Sequence, residues 1–200
     1  MKKINVYDFD NTIYNGESLL DFYFYCIARH PSLLKYIFIM AYNMVRYKLC
    51  AINEEEFERL AYKYASSAVS ICSDAKELAL SFWETHQNKL YSWYNDKRQD
   101  SDVVVSASFS FLLEPAMKII GIKNYVSSEI DLDCAKVSQI CFGKRKIECF
   151  YKKFPGAYVE DFYTDSMNDK AFMEIAHNNI YMVKKGKLHL LYTNKRKDIL

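Results

Sequence analysis

One short apolar strand, followed by a long helical block before any second strand, constrains this chain more than any other feature. Ile4 to Phe9 is apolar and β-branched at Ile4 and Val6, and it runs into the polar turn Asn11-Thr12. That pattern is a short buried strand. From Glu17 to Asn95 the pattern is helical instead. Leu19, Leu20, Phe22, Tyr23, Phe24, Cys26 and Ile27 crowd one run, and Pro31 suits the first turn of a second helix over 32–49. Asn53 before Glu54, Glu55 and Glu56 is a helix start with carboxylates in the first turn. A fourth helix is expected over 73–90.

Strand and helix then alternate. Asp102 to Val105 is a β-branched strand that ends at Ser106. Residues 114–120 are helical and stop at Gly121, a suitable C-cap. Residues 126–142 suit a small hairpin, and 145–153 a helix ending before Pro155. A strand over 159–163, a helix over 170–176 and a last strand over 180–183 complete the reading. Such alternation implies an α/β fold, a Rossmann-like parallel sheet with helices on both faces. The expected division is a core of residues 1–15 and 97–200 and an inserted α-helical cap of residues 16–96.

Composition narrows the function. With 27 basic and 25 acidic residues the formal charge is only +2, which argues against nucleic acid as a partner. The six cysteines form no Cys-x-x-Cys pair, and no His stands at zinc-site spacing from them. Free thiols in a reducing compartment are expected. Asp8 and Asp10 interrupt any apolar run after Met1-Lys2-Lys3, so a signal peptide is not expected. The most apolar stretch, Tyr36 to Val45, is too short to span a membrane. A cytoplasmic protein without a transmembrane segment is the expectation.

Asp8 and Asp10 flank Phe9. Residues two apart in an extended segment point the same way, so both carboxylates face one pocket. They repel unless a cation intervenes, and a hard divalent ion such as Mg²⁺ prefers such oxygens. Asp165, after a later strand, could complete the set. One carboxylate could then attack phosphorus while the other moves protons. Taken alone, Asp8-x-Asp10 could equally be a strand-end turn. Thr12 extends it to Asp-x-Asp-x-Thr, a phosphoryl-transfer pattern. Ser106 suits phosphate binding or an ordinary helix cap. Lys146 suits charge balance in a site or a solvated surface position, with Lys144 and Arg145 beside it. Residues 164–169, Thr-Asp-Ser-Met-Asn-Asp, place two carboxylates and an amide in one turn before a helix.

The ordered set resembles the haloacid dehalogenase superfamily. The motifs are Val6-Tyr7-Asp8-Phe9-Asp10-Asn11-Thr12, Val103-Val104-Val105-Ser106-Ala107-Ser108, Gly143-Lys144-Arg145-Lys146 and Tyr163-Thr164-Asp165-Ser166-Met167-Asn168-Asp169. The phosphoserine-phosphatase-like branch, with a helical cap between the first two motifs, is the most similar. The resemblance implies a Mg²⁺-dependent phosphomonoester hydrolase acting on a small phosphorylated metabolite. Asp8 is then the nucleophile and a metal ligand. Asp10 is the acid/base and binds metal through its backbone carbonyl. Thr12 supports the loop and the aspartyl phosphate. Ser106, with Ala107 after it, binds the phosphoryl group, and Lys146 is the motif lysine. Asp165 ligates metal, and Asn168 and Asp169 lie on the phosphate side or in support. Asn11 and Thr164 stand where Gly is usual. Asp10 argues against dehalogenation, since dehalogenases lack it.

Two features fall outside the motifs. Tyr36, Phe38, Ile39, Met40, Tyr42, Met44, Val45 and Tyr47 leave little polar surface on the second helix. A helix apolar all round is usually buried, so a hairpin packed on itself or on a second subunit is expected, as monomer or homodimer. The alternative is peripheral contact with a membrane by a cap that receives phospholipid head groups. Lys184, Lys185, Lys187, Lys195, Arg196 and Lys197 read as a solvated basic tail. A phospho-accepting signalling module is the competing class. Receiver domains, however, lack the aspartate two residues after the acceptor and the helical insertion.

Overall fold

The structure is a computed structural model that describes residues 3–194, with the backbone alone at Glu54 and Glu58. Seven strands form one sheet in the order β4-β3-β2-β1-β5-β6-β7. They are β1 (Lys3–Asp8), β2 (Val103–Phe109), β3 (Asn124–Asp131), β4 (Lys136–Gln139), β5 (Tyr158–Thr164), β6 (Asn179–Lys184) and β7 (Lys187–Thr193). The five inner strands run parallel, and β4 and β7 close the edges antiparallel. The expected parallel α/β core is therefore present. β1 lies at its centre and is buried on both faces from Ile4 to Asp8, as a strand covered on both sides must be.

Alternate residues of the inner strands feed two cores. Tyr7, Val104 and Tyr163 face one; Ile4, Val6, Val103, Val105 and Phe162 face the other. The second core is closed by α7 (Arg145–Lys153) through Phe150 and by α8 (Lys170–Ile175) through Phe172 and Met173. The first is closed by α6 (Ser110–Ile120) and by part of the insertion. The insertion contributes α1 (Ser18–Ile27), α2 (Leu34–Lys48), α3 (Glu54–Ile71), α4 (Ala75–His86) and α5 (Trp93–Lys97). Phe22 and Cys26 of α1 and Leu78, Ala79, Phe82 and Trp83 of α4 share the core with Leu112, Leu113, Ala116 and Met117 of α6. Trp83 Nε1 donates to the Leu112 carbonyl at 2.7 Å, so its polar edge is satisfied where the ring is buried. α2 and α3 form a hairpin, of which α3 packs Tyr62, Ala65 and Val69 against Phe109, Ile130 and Val137. Tyr36 meets Tyr64 and Tyr47 stacks on Phe57 between the two helices.

Local signals explain the ends. The Asn53 side chain accepts from Glu56 N at 2.8 Å, the N-cap bond expected of it. Gly121 ends α6 at φ +70°. Three expectations need correction. β2 does not end at Ser106 but continues to Phe109, because its pairing with β3 resumes after an irregularity between Val105 and Phe109. Lys184, Lys185 and Lys187 are not in a tail. Lys185 and Gly186, at φ +49° and +72°, make a two-residue turn into β7, which pairs along β6. Lys195, Arg196 and Lys197 lie outside the described residues. Finally, α2 is not buried all round. Leu34, Phe38, Tyr42, Val45 and Leu49 are exposed, Phe38 to 68%, and their spacing puts them on one face. Its other face packs on α3. No helix of the described residues is long and apolar enough to cross a membrane.

Candidate active site

The C-terminal ends of β2, β1 and β5 are adjacent in the sheet, which is where parallel α/β sheets bind ligands. Asp8 is the last residue of β1, and Asp165 directly follows β5. After Asp8 the chain turns sharply. The Phe9 carbonyl accepts from the N–H groups of Thr12, Ile13 and Tyr14 at 2.8–3.2 Å. Asn11 sits in this turn at φ +56°. Its position calls for a residue that tolerates the left-handed region, and Asn is the usual choice after Gly. Its side chain also donates to Glu17 Oε1 at 2.7 Å, a bond that Gly could not make.

Lys146, in the first turn of α7, carries its ammonium to the end of β1. Nζ donates to Asp8 Oδ1 at 2.8 Å and to Asp169 Oδ1 at 3.1 Å. All three side chains are nearly closed to solvent. Thr164 Oγ1 donates to the other oxygen of Asp169 at 2.8 Å. Thr164 therefore does more than replace a glycine: its hydroxyl aims the carboxylate that aims Lys146. Lys144 and Arg145 are exposed, so Lys146 is the one of the three basic neighbours that enters the site.

Asp10 is held differently. Ser18 N, at the start of α1, donates to its Oδ1 at 2.6 Å, and the Ser106 and Ser108 hydroxyls approach Oδ2 at 3.4 Å each. Ser18 Oγ and Ser108 Oγ lie 2.9 Å apart. The irregularity in β2 brings both serines to one carboxylate, and the N-terminus of α1 favours the negative charge there. Ala107 is half-buried, and its carbonyl accepts from Ser128 Oγ at 2.7 Å. Thr12 is fully buried and its hydroxyl has no hydrogen-bond partner among the described residues. Asn168 lies exposed on the 3₁₀ turn Met167–Asp169, its N–H donating to Ser166 Oγ at 3.1 Å. Its side chain does not join the network. Sequence reasoning missed Ser18 and gave Ser108 no role. A serine 90 positions from its partner leaves no local signal.

Charge and burial conflict here. Four carboxylates, of Asp8, Asp10, Asp165 and Asp169, surround one ammonium. Burial raises the pKa of Asp8 against the pull of Lys146, and burial likewise raises those of Asp10 and Asp165. Burial opposes the charge on Lys146, but Asp8 and Asp169 outweigh it and hold the lysine protonated. An excess of buried carboxylate oxygen is what a hard divalent cation requires. With its carboxylate bound to Ser18, Ser106 and Ser108, Asp10 would contribute through its backbone.

These motifs lie within a longer match. A family profile described as haloacid dehalogenase-like hydrolase covers residues 6–174. The chain belongs to this family. No curated protein matches the sequence. Among solved structures it is similar to a protein of unknown function from Bordetella pertussis Tohama I, at 14% identity and TM-score 0.67, over 87% of this chain and 86% of that one. It is also similar to a phosphoserine phosphohydrolase-like protein from Francisella tularensis subsp. tularensis SCHU S4. There the identity is 19% and the TM-score 0.56, over 89% and 85% of the two chains. At these identities the likeness is one of fold.

Proposed function

We propose that the protein is a Mg²⁺-dependent phosphomonoester hydrolase that passes the phosphoryl group through Asp8. The observation that carries this reading is the buried Lys146, bridging Asp8 and Asp169 beside Asp10 at the centre of the sheet edge. Asp8 Oδ attacks phosphorus and the ester P–O bond breaks. Asp10 gives its proton to the leaving oxygen. Asp10 then takes a proton from water as the water oxygen attacks phosphorus, which frees Asp8 and inorganic phosphate. Ser106, the backbone at Ala107 and the unpartnered Thr12 hydroxyl supply donors for the phosphoryl oxygens. Lys146 offsets the negative charge of Asp8 and phosphate brought together. Asp8, Asp165 and the backbone of Asp10 would hold Mg²⁺, which neutralises charge on the phosphoryl oxygens.

In this reading residues 1–15 and 97–200 are the catalytic core and 16–96 the cap. α1 and α4 share the core's packing, so substrate selection falls to the α2–α3 hairpin. A small phosphorylated metabolite is the substrate class. Free thiols at all six cysteines suit a reducing, cytoplasmic setting. The test is hydrolysis of p-nitrophenyl phosphate. Phosphate release should require Mg²⁺, stop on chelation with EDTA and return when Mg²⁺ is restored. Full activity in EDTA would remove the metal from the mechanism.

The exposed stripe on α2 favours a second reading of the substrate. Leu34, Phe38, Tyr42 and Val45, with Leu49 just past its end, share the helix with Lys35, Arg46 and Lys48. An apolar face with basic neighbours suits an anionic phospholipid surface. Vesicles of anionic phospholipid should then pellet the protein, and Phe38→Ser with Tyr42→Ser should leave it in the supernatant. Wild-type protein that stays in the supernatant would return the stripe to a second copy of the chain.

A further inference from the structure

The chain crosses into the α2–α3 hairpin at two places, after α1 and before α4. Each crossing carries a pair of metal-ligating side chains. Cys26 is in the last turn of α1, and His30 follows four residues later, before the buried Leu33 of the 3₁₀ turn Pro31–Leu33. Cys72 ends α3, and Asp74 precedes α4.

The fold brings His30, Cys72 and Asp74 together. His30 Nε2 lies 2.7 Å from Asp74 Oδ1, and Cys72 Sγ lies 3.7 Å from the same oxygen. One ligand atom from each of His30, Cys72 and Asp74 lies within 4.8 Å of the others. Cys72 is buried, in the same core cluster as Cys26, whereas His30 and Asp74 are half-exposed. The thiol thus forms the inner side of the cluster and the polar pair an opening to solvent. A tetrahedral ion with sulfur at about 2.3 Å and nitrogen or oxygen at about 2.0 Å needs ligand atoms roughly 3.3–3.8 Å apart. The Cys72–Asp74 separation already falls in that range.

We propose that His30, Cys72 and Asp74 hold a zinc-class divalent ion, which clamps the two crossings at the base of the α2–α3 hairpin. A thiolate, an imidazole and a carboxylate select zinc-class ions over Mg²⁺. Binding releases the Cys72 thiol proton and ties the segment after α1 to the segment before α4. At its far side α3 rests on the core, with Tyr62, Ala65 and Val69 against Phe109, Ile130 and Val137. An ion at the hinge would therefore fix the hairpin at both ends of its span. The site shares no residue with the Asp8 cluster, and it stands or falls independently of the hydrolase reading.

The test is titration of the reduced full chain with Co²⁺, followed by Zn²⁺. One equivalent of Co²⁺ should produce tetrahedral visible bands and a thiolate-to-cobalt charge-transfer band, both erased by one equivalent of Zn²⁺ and unaffected by excess Mg²⁺. Cys72→Ser should lose the charge-transfer band, and Asp8→Asn should keep it. His30→Ala and Asp74→Asn alter the half-exposed side of the site, and should weaken binding at least tenfold with the melting transition preserved. Zn²⁺ should raise the melting temperature of wild type and not of Cys72→Ser. Absence of the charge-transfer band in wild type, or its persistence in a folded Cys72→Ser variant, overturns the proposal. So does a Cys26–Cys72 disulfide found by peptide mapping under non-reducing conditions.

Discussion

Replacing Asp8 with Asn lowers Mg²⁺-dependent hydrolysis of p-nitrophenyl phosphate by at least about 10⁴-fold, the scale on which loss of a covalent nucleophile acts. The substitution keeps the shape of the side chain and removes the attacking charge. Asp8 Oδ1 receives the Lys146 ammonium at 2.8 Å. An Asn oxygen can still accept that bond, and Asp169 still pairs the lysine at 3.1 Å. The variant should therefore melt like wild type, and its loss is chemical. A variant that melts normally and turns over at the wild-type rate would show that Asp8 is not the nucleophile. The same assay separates an enzyme from a phospho-accepting module. An enzyme releases many phosphates per chain, whereas an acceptor stops after one.

Replacing Lys146 with Met has the opposite profile, with stability as the larger effect. The lysine side chain is 10% exposed, and those of Asp8 and Asp169 are 10% and 8%. Removing it leaves two buried carboxylates facing each other without a cation, and breaking such a buried pair costs about 3–5 kcal/mol. Urea unfolding of metal-free protein measures this. The deficit depends on pH in a definite direction. Burial holds the Asp8 carboxyl above its ordinary value, and without the lysine its main downward pull is gone. A folded-state pKa raised above the unfolded one contributes stability below the unfolded pKa, and that contribution is lost as pH rises through the folded pKa. The variant should thus approach wild type in acid and fall behind it toward neutral pH. A uniform deficit at all pH values would mean that lost packing of the lysine stem, not charge, is responsible. Activity should fall as well, because nothing then offsets the charge of Asp8 and phosphate.

Much of the fold was legible because strand period and helix signals are local. Helix 145–153 and the hairpin over residues 126–142 could be read from pattern alone, and Asn53 and Gly121 mark their helix ends by side-chain and backbone chemistry. What escaped was non-local. The sequence pattern ends β2 at Ser106, because its continuation depends on pairing with β3 after an irregularity. The lysines around β7 read as a tail in the sequence, because β7 is an exposed edge held by pairing with β6 rather than by its own apolar pattern. The exposed face of α2 escaped for a related reason. Composition reports how apolar a helix is, while exposure depends on what the rest of the chain leaves to cover it.

The Asp-x-Asp-x-Thr motif at the end of β1, the α/β alternation and the helical insertion were determined by the sequence itself, through residue spacing and short-range propensity. Tertiary structure alone decided that Lys146, 138 positions from Asp8, becomes its partner, and that Thr164 and Asp169 steer it. It also decided that Ser18 and Ser108 hold Asp10. The same holds for His30, Cys72 and Asp74. His30 and Asp74 pair across 44 positions, so no ligand spacing along the chain announces the cluster. Hydrogen bonds and ion pairs act over a few ångströms of space, and only the packing of sheet on helix converts distance along the chain into that proximity.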